Sequence, residues 1–368
     1  LPIFLTEQGS KTVESIYYVL CWHCHRRCKH CYETRFRPYV RNELEDVLQE
    51  AERNMPQIVD HLPQEMAYEG WRNPLPDGTI PKRRSRIILS GGDVLTDPAR
   101  ERLLYPALER ITDRYRHRGG VNIVVQTTGD LMTPKIIREL LDRGVWMISV
   151  FGLDDYHVGM SDDGKDTLLD SFIREFEAAG MQRSGLKSDH REWMDEEGPV
   201  YSAFGATDDA WIGKLWPRGR AWENSLSKAN LTDNFCNAWS GGLNFLEYGR
   251  SGSEVSIDPT GDIYSCCLKT KSPIGNLVEE PLYDIFDSLK GHPALEAINA
   301  GKPERMGITE GWSVDRFVEA SRTEMPDGSP YQNLCIGCDR YFAQVLGPVL
   351  DDLRNQRCAS RHGVVAVS

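Results

Sequence analysis

Cys24, Cys28 and Cys31 stand in the stretch Cys24-His25-Arg26-Arg27-Cys28-Lys29-His30-Cys31-Tyr32, a CxxxCxxC spacing that directly follows an apolar, strand-like run from Ile16 to Leu20. Three thiolates this close together can hold three irons of a 4Fe–4S cube and leave the fourth iron open to another ligand. Zinc is the competing reading, because short Cys spacings are zinc signals and His23, His25 or His30 could supply a fourth ligand. Disulfides fit less well: the cysteines cluster as a metal site does, and the start Leu1-Pro2-Ile3-Phe4-Leu5 lacks the basic flank of a signal peptide. Cys21 adds a second pairing, Cys21-x-x-Cys24, and reads as the buried end of the strand, since the triplet is complete without it.

At 368 residues with 40% hydrophobic side chains, the chain can bury a full core and is of enzyme size. Lys and Arg total 43 against 55 Asp and Glu, a formal charge of −12, which disfavours phosphate backbones and anionic membrane surfaces as partners. No apolar run approaches the ~18 residues of a membrane span. These features together predict a cytoplasmic protein that binds neither nucleic acid nor membrane. Ten cysteines in such a chain point to metal.

From residue 14 to about 180, short β-rich runs alternate with amphipathic helical ones, the pattern of βα units around a parallel sheet. Strand one covers about Glu14 to Leu20. Leu44, Val47, Leu48 and Ala51 fall on one helical face, and Pro56 is expected to bend or end that helix. The stretch from Glu65 to Arg84 is aperiodic and reads as a long loop. Ile87-Ile88-Leu89 is a buried strand running into Ser90-Gly91-Gly92-Asp93; Val121 to Val125 is the next, ending in Gln126-Thr127-Thr128-Gly129; Val145 to Val150 follows a helix at about Pro134 to Arg143. All the polar and Gly-rich elements fall at strand C-terminal ends, the edge on which parallel βα barrels build their sites. The segment from about Gly185 to Asn234 loses the alternation and reads as a join between domains. After it, Val255 to Cys267 reads as a hairpin around a Pro259-Thr260-Gly261-Asp262 turn.

Taken in order, the CxxxCxxC loop with its His30 and Tyr32, the Gly91-Gly92-Asp93 turn, the Thr127-Thr128 strand end and Ser149 resemble the radical S-adenosylmethionine (radical SAM) superfamily. The resemblance implies a partial (β/α)6 TIM-like barrel of α/β class over residues 1–225. It also implies a smaller C-terminal domain over 226–345 that contains the hairpin, and a tail over 346–368. It makes Cys24, Cys28 and Cys31 the ligands of a cluster whose open iron chelates S-adenosylmethionine. Tyr32, Gly91, Gly92, Asp93, Thr127, Thr128 and Ser149 become the cofactor contacts, with Asp93 where Glu is usual and Thr128 where Asn is usual.

Cys236, Cys266 or Cys267, and the pair Cys335-x-x-Cys338 supply four further thiolates, enough for a closed 4Fe–4S cluster or, on the same ligands, a structural zinc. With the hairpin and Ile274-Gly275-Asn276-Leu277, this set resembles the SPASM and Twitch extensions of radical SAM enzymes. Beyond Cys338 only Cys358 remains, so one auxiliary cluster is expected, with Cys266 as its ligand by the resemblance. Cys267 is then a small buried hydrophobe or, near the substrate, a hydrogen-atom donor.

The function implied is oxidation or epimerisation of a small molecule such as a sugar or aminocyclitol, with flavodoxin or ferredoxin as electron donor. One alternative is a maturase that crosslinks or oxidises a peptide; the ~13 residues ahead of strand one argue against a recognition domain there. The non-enzyme alternative is a zinc- or iron–sulfur-bound interaction module. Two further features stand out. Trp211, Trp216, Trp222 and Trp239 flank Arg218 and Arg220, where an aromatic wall with two guanidinium groups would suit a sugar with an acidic substituent, or domain-junction packing. Asp154-Asp155-Tyr156-His157 follows a barrel strand and supplies either an acid or base or a solvated turn.

Overall fold

The computed structural model describes residues 13–71, 74–157, 162–185, 196–207, 210–238, 240–247 and 254–361, with backbone alone at 162 and 163. Its centre is a nine-stranded sheet. In chain order the strands are β1 (Ser15–Val19), β4 (Arg86–Ser90), β5 (Asn122–Thr127), β6 (Val145–Phe151), β7 (Gln182–Arg183), β8 (Val200–Phe204), β9 (Glu254–Ile257), β10 (Asp262–Tyr264) and β11 (Gly275–Asn276). The labels β2 (Ala67–Glu69) and β3 (Lys82–Arg84) belong to a separate antiparallel ribbon.

The strand order is β11-β10-β9-β1-β4-β5-β6-β8-β7, and β1 through β7 in that row run parallel. Their C-terminal ends lie together, with Val19 beside Ser90, Thr127 beside Val150 and Phe151 beside Phe204. This is the α/β class and the partial barrel expected. Helices cover the sheet with apolar stripes: Leu48, Ala51, Met55, Ile58 and Val59 on Arg41–Asp60, Ala107, Leu108 and Ile111 on Tyr105–Tyr115, and Ile136, Ile137 and Leu140 on Pro134–Asp142. The expected hairpin is β9–β10, and β9 pairs in parallel with β1, so it extends the barrel's own sheet.

Three local expectations change. Pro56 lies inside the Arg41–Asp60 helix and does not end it, because Met55, Ile58 and Val59 are buried on either side of it and hold the chain against the core. The stretch read as an aperiodic loop, 65–84, contains the β2–β3 ribbon, in which Ala67, Tyr68 and Glu69 face Arg84, Arg83 and Lys82. The stretch read as a domain join, 185–234, contains β8, an interior strand of the sheet seated between β6 and β7. Beyond residue 346, Gly347–Arg361 is a helix whose Arg357 and Arg361 pair with the fully buried Glu280.

At the opposite, N-terminal edge a buried charge cluster joins three strands. Arg86 on β4 lies 3.5 Å from the Glu14 carboxylate and donates from Nε to Ser15 Oγ at 3.0 Å, and Ser15 in turn donates to Glu254 on β9. Burial brings the guanidinium down to about 10, against the pull of Glu14 and Glu254. A cation removed here strands two carboxylates in the interior. Arg86→Ala is expected to lower unfolding stability by ~3–5 kcal/mol, read as a fall in the urea midpoint at unchanged slope.

Candidate active site

The polar strand ends close over a cavity of about 330 Å³ at the C-terminal edge of the sheet. Cys24, Cys28 and Cys31 lie on its wall, in a loop whose shape is fixed from the neighbouring strand end. Gly92 N–H donates to Cys21 O and Asp93 N–H to His23 O, both at 3.0 Å. A Cβ on Gly92 would run into His23 O and come within 2.6 Å of the Cys24 Cβ, so only glycine lets the two segments approach this closely. The Gly-Gly turn thus packs on the cysteine loop itself as well as lining the cavity.

Asp93 sits behind this wall, almost fully buried. Its carboxylate accepts from Leu95 N–H at 3.0 Å, Thr127 Oγ1 at 3.0 Å, Thr128 N–H at 3.2 Å and Thr128 Oγ1 at 2.6 Å, tying the end of β4 to the end of β5. Thr128 and Ser149 reach the cavity, and Ser149 shares a 3.0 Å hydrogen bond with Ser202 on β8. Asp130 accepts from His25 at 2.8 Å and Arg26 at 2.7 Å, which anchors the middle of the cysteine loop to the β5 end. Burial acts to raise the Asp130 carboxyl, but hydrogen bonds from His25 and Arg26 hold it well below the usual range.

Asp154 and His157 form a built dyad. His157 Nδ1 lies 2.9 Å from Asp154 Oδ1, which also accepts from Tyr156 N–H, while Oδ2 accepts from Ala206 N–H at 2.8 Å. The His30 ring packs edge-on against His157 at 4.5 Å, and burial, with His157 beside it, brings His30 down to about 4. His30 Nδ1 and Gln126 Oε1 are buried with no hydrogen-bond partner, and both residues line the cavity. A bound polar group would satisfy them.

The second cysteine set lies behind Trp216 and Phe235. Cys266, Cys335, Cys338 and Cys236 influence one another electrostatically in a chain from Cys266 to Cys335, Cys335 to Cys338, and Cys338 to Cys236. Two Asn-x-Cys steps build it. Asn234 and Asn333 each accept from the backbone N–H of the cysteine two residues on, at 3.0 and 2.9 Å, and so cap the short helices that begin there. Asn333, fully buried, also donates to Asn230 O at 2.7 Å and joins the two turns.

The adjacent cysteines divide between the sites. Cys267 lines the cavity, and burial pushes its thiol well above the ordinary value, so it carries a proton at neutral pH. Cys266 is packed with Cys335, and burial pushes it up to about 11. Cys21 turns away into a small core with Leu48, Ala51, Ala99 and Leu103, while Cys358 lies near Glu279 on the C-terminal helix.

A five-residue segment, Pro217-Arg218-Gly219-Arg220-Ala221, holds both cysteine sites. Arg220 donates to Cys28 O at 2.8 Å, Thr34 O at 2.9 Å and Phe36 O at 2.7 Å, and its N–H donates to Cys31 O at 2.8 Å. Arg218 donates to Leu268 O at 3.2 Å and to Asp339 Oδ1 at 2.9 Å. Gly219, at φ 53°, lies where a Cβ would come within 2.7 Å of Cys31 O. Of the two readings of these guanidinium groups, an acidic substituent or packing at a junction, the contacts match the second: both are committed to carbonyls and, for Arg218, to Asp339. A second bridge runs alongside, in which Lys269 pairs with Glu33 at 3.1 Å and lies 4.2 Å above the Trp22 ring. Burial acts to raise Glu33, but Arg35 and Lys269 hold it at about 2. Trp211 and Trp216 line the cavity, Trp222 packs on Tyr331 instead, and Trp239 is outside the described residues.

The spacing of the thiols tests which metal they fit. Four sulfurs around one zinc at ~2.3 Å lie about 3.8 Å apart in a tetrahedron. Among the described residues, the groups of three or more ligand atoms within 4.8 Å of one another are His30–Asp154–His157 and His25–Asp93–Asp130, and neither includes a sulfur. Both cysteine sets are more open than a single zinc requires, as suits a cube that gives each thiolate its own iron.

No protein-family model and no curated protein matches the chain. Solved structures do. BtrN in complex with AdoMet and 2-DOIA is 15% identical with a TM-score of 0.40, over 79% of this chain and 89% of that one. Streptococcus suis SuiB bound to S-adenosylmethionine is 12% identical with a TM-score of 0.38, over 79% and 68%. The anSMEcpe protein with bound AdoMet is 12% identical with a TM-score of 0.38, over 93% and 95%. Among the described residues, no helix is long and apolar enough to cross a membrane.

Lysine presents a point charge where arginine presents a fork. Arg220→Lys is expected to lose at least two of the three carbonyl contacts at ~1–2 kcal/mol each, lowering stability by ~2–4 kcal/mol in chemical denaturation.

Proposed function

We propose that the chain is a radical SAM enzyme that abstracts a hydrogen atom from a small-molecule substrate. The observation that carries this reading is the cavity wall, where three cysteines, a Gly-Gly turn, Thr128 and Ser149 meet at one strand-end edge. When bound, a cluster on Cys24, Cys28 and Cys31 and its S-adenosylmethionine would supply an electron and a 5′-deoxyadenosyl radical.

The chain's own residues do the rest. Gly91, Gly92 and Tyr32 shape the wall beside the cysteines, Gln126 and His30 offer unpartnered acceptors, and Thr128 and Ser149 offer hydroxyls. Asp93 acts through Thr127 and Thr128, whose hydroxyls it orients, rather than from the cavity wall. The apolar faces of Trp211, Trp216, Ile88 and Val124 exclude water from the reacting centre. The cavity of about 330 Å³ would have to take S-adenosylmethionine as well as the reacting part of the substrate, which favours a small molecule over a peptide. Cys267, protonated and facing the same space, is placed to give its hydrogen atom to a product radical, and the thiyl left behind would be restored by a solvent proton and one electron from the flavodoxin or ferredoxin passed through the second cysteine site, which favours epimerisation among the outcomes.

Cys236, Cys266, Cys335 and Cys338 hold an auxiliary cluster in a Twitch-like unit over 226–345, and a flavodoxin or ferredoxin in a reducing cytoplasm supplies electrons. Anaerobic reconstitution is expected to load about eight irons per chain and give reductant-dependent 5′-deoxyadenosine. Changing Cys24, Cys28 and Cys31 to Ala leaves about four irons and no nucleoside. Zinc in place of iron, with no nucleoside, would refute the reading. In Cys267→Ala, 5′-deoxyadenosine still forms and the product lacks solvent-derived hydrogen; unchanged deuterium incorporation from D₂O removes Cys267 from the chemistry.

A further inference from the structure

The Arg218 fork joins two of the three segments that carry the second cysteine set, the turn after Cys266 and the helix of Cys335 and Cys338. Its Nε donates to Leu268 O at 3.2 Å and Lys269 O at 3.4 Å, on the turn that Lys269 N–H closes back onto Cys266 O. A terminal nitrogen donates to Asp339, the residue after Cys338, at 2.9 Å, and another to Pro217 O. The Arg218 side chain is largely but not fully buried, and its charge acts on Cys266, Cys335 and Cys338. Asp339 is half-buried and is approached by Lys271.

We propose that Arg218 sets the reduction potential of the second cysteine site, raising it so that this site can accept an electron, and that Asp339 opposes it. The proposal rests on the auxiliary cluster of the preceding section. One-electron reduction of a four-thiolate cluster adds a negative charge to a low-dielectric site, and a fixed cation beside three of the four thiolates stabilises that reduced form more than the oxidised one. Asp339 acts with the opposite sign. The arginine fork also fixes where the charge sits, since Nε is held by two carbonyls of the ligand turn and the remaining terminal nitrogen by Pro217 O.

The test is a redox titration of the anaerobically reconstituted enzyme followed by EPR, with the second-site signal assigned as the one that survives loss of Cys24, Cys28 and Cys31. Arg218→Gln is expected to shift the oxidised-to-reduced ratio at a fixed potential at least tenfold toward oxidised, 59 mV for a one-electron couple. Arg218→Lys keeps the charge and returns most of that shift, and Asp339→Asn moves the second site the other way. The first-site potential stays within twofold in all three. Iron-replete variants with an unmoved second-site potential overturn the proposal, as does a fall in Arg218→Lys equal to that in Arg218→Gln. Should Arg218→Gln lose its second-site iron, Arg218→Lys and Asp339→Asn decide by the direction of their displacements. A wild-type chain that takes up only four irons refutes the auxiliary cluster itself, and the iron count reveals this before any potential is measured.

Discussion

The saturation of two neighbouring guanidinium groups by backbone carbonyls is the constraint on which the site depends. Arg220 collects Cys28, Thr34 and Phe36, Arg218 collects Leu268, Lys269 and Asp339, and the glycine between them lies against Cys31. Loops that carry metal ligands have few regular hydrogen bonds of their own, so their carbonyls need outside donors if they are buried. An arginine is suited to this because its donors are planar, rigid and permanently charged. With one residue between the two forks, neither cysteine loop can move far without displacing the other. The Lys269–Glu33 pair against Trp22 repeats the link from the opposite direction.

This arrangement explains how buried charge is tolerated around a cavity that also has to exclude water. Asp130, Asp154 and Glu33 are carboxylates that burial would neutralise, and donors keep each ionised: His25 and Arg26 for Asp130, His157 and Ala206 N–H for Asp154, Arg35 and Lys269 for Glu33. His157 and Arg35 come from the carboxylate's own turn, whereas His25, Arg26, Ala206 and Lys269 also tie separate segments together. The cysteines behave differently. Burial first, and then neighbouring carboxylates and cysteines, push Cys24, Cys31, Cys266 and Cys335 upward, to between about 11 and about 12, so their thiols give up protons when metal binds. Cys267 keeps its proton and lies on the cavity side of the same turn.

Much of this was legible in the sequence because it is local. The apolar runs of β1, β4, β5 and β6, the polar residues at their ends and the CxxxCxxC spacing are all short-range patterns. What escaped was set by distant partners. β8 has only five residues between polar stretches, and its place between β6 and β7 depends on pairing with Met147 to Phe151. Arg218 and Arg220 could be ligand-binding or junction groups by sequence, and only their carbonyl partners, among them Cys28 at 192 residues' separation, decide between the two. His25, Arg26 and Asp130 join across more than 100 residues in the same way. The two Asn-x-Cys caps were local, and the pairing of Asn two residues before a cysteine could have been read at both positions.

The central claim is that Cys24, Cys28 and Cys31 leave one metal coordination site open for the amino and carboxylate groups of S-adenosylmethionine. The most direct measurement is electron–nuclear double resonance on the reduced, reconstituted chain mixed with S-adenosylmethionine carrying ¹⁵N and ¹⁷O in its methionine part. Hyperfine coupling of both nuclei to the cluster is expected, lost when Cys24, Cys28 and Cys31 are changed to Ala and retained when Cys335 and Cys338 are changed. A reduced iron–sulfur signal that shows neither coupling, or one that survives loss of the first three cysteines, would contradict it.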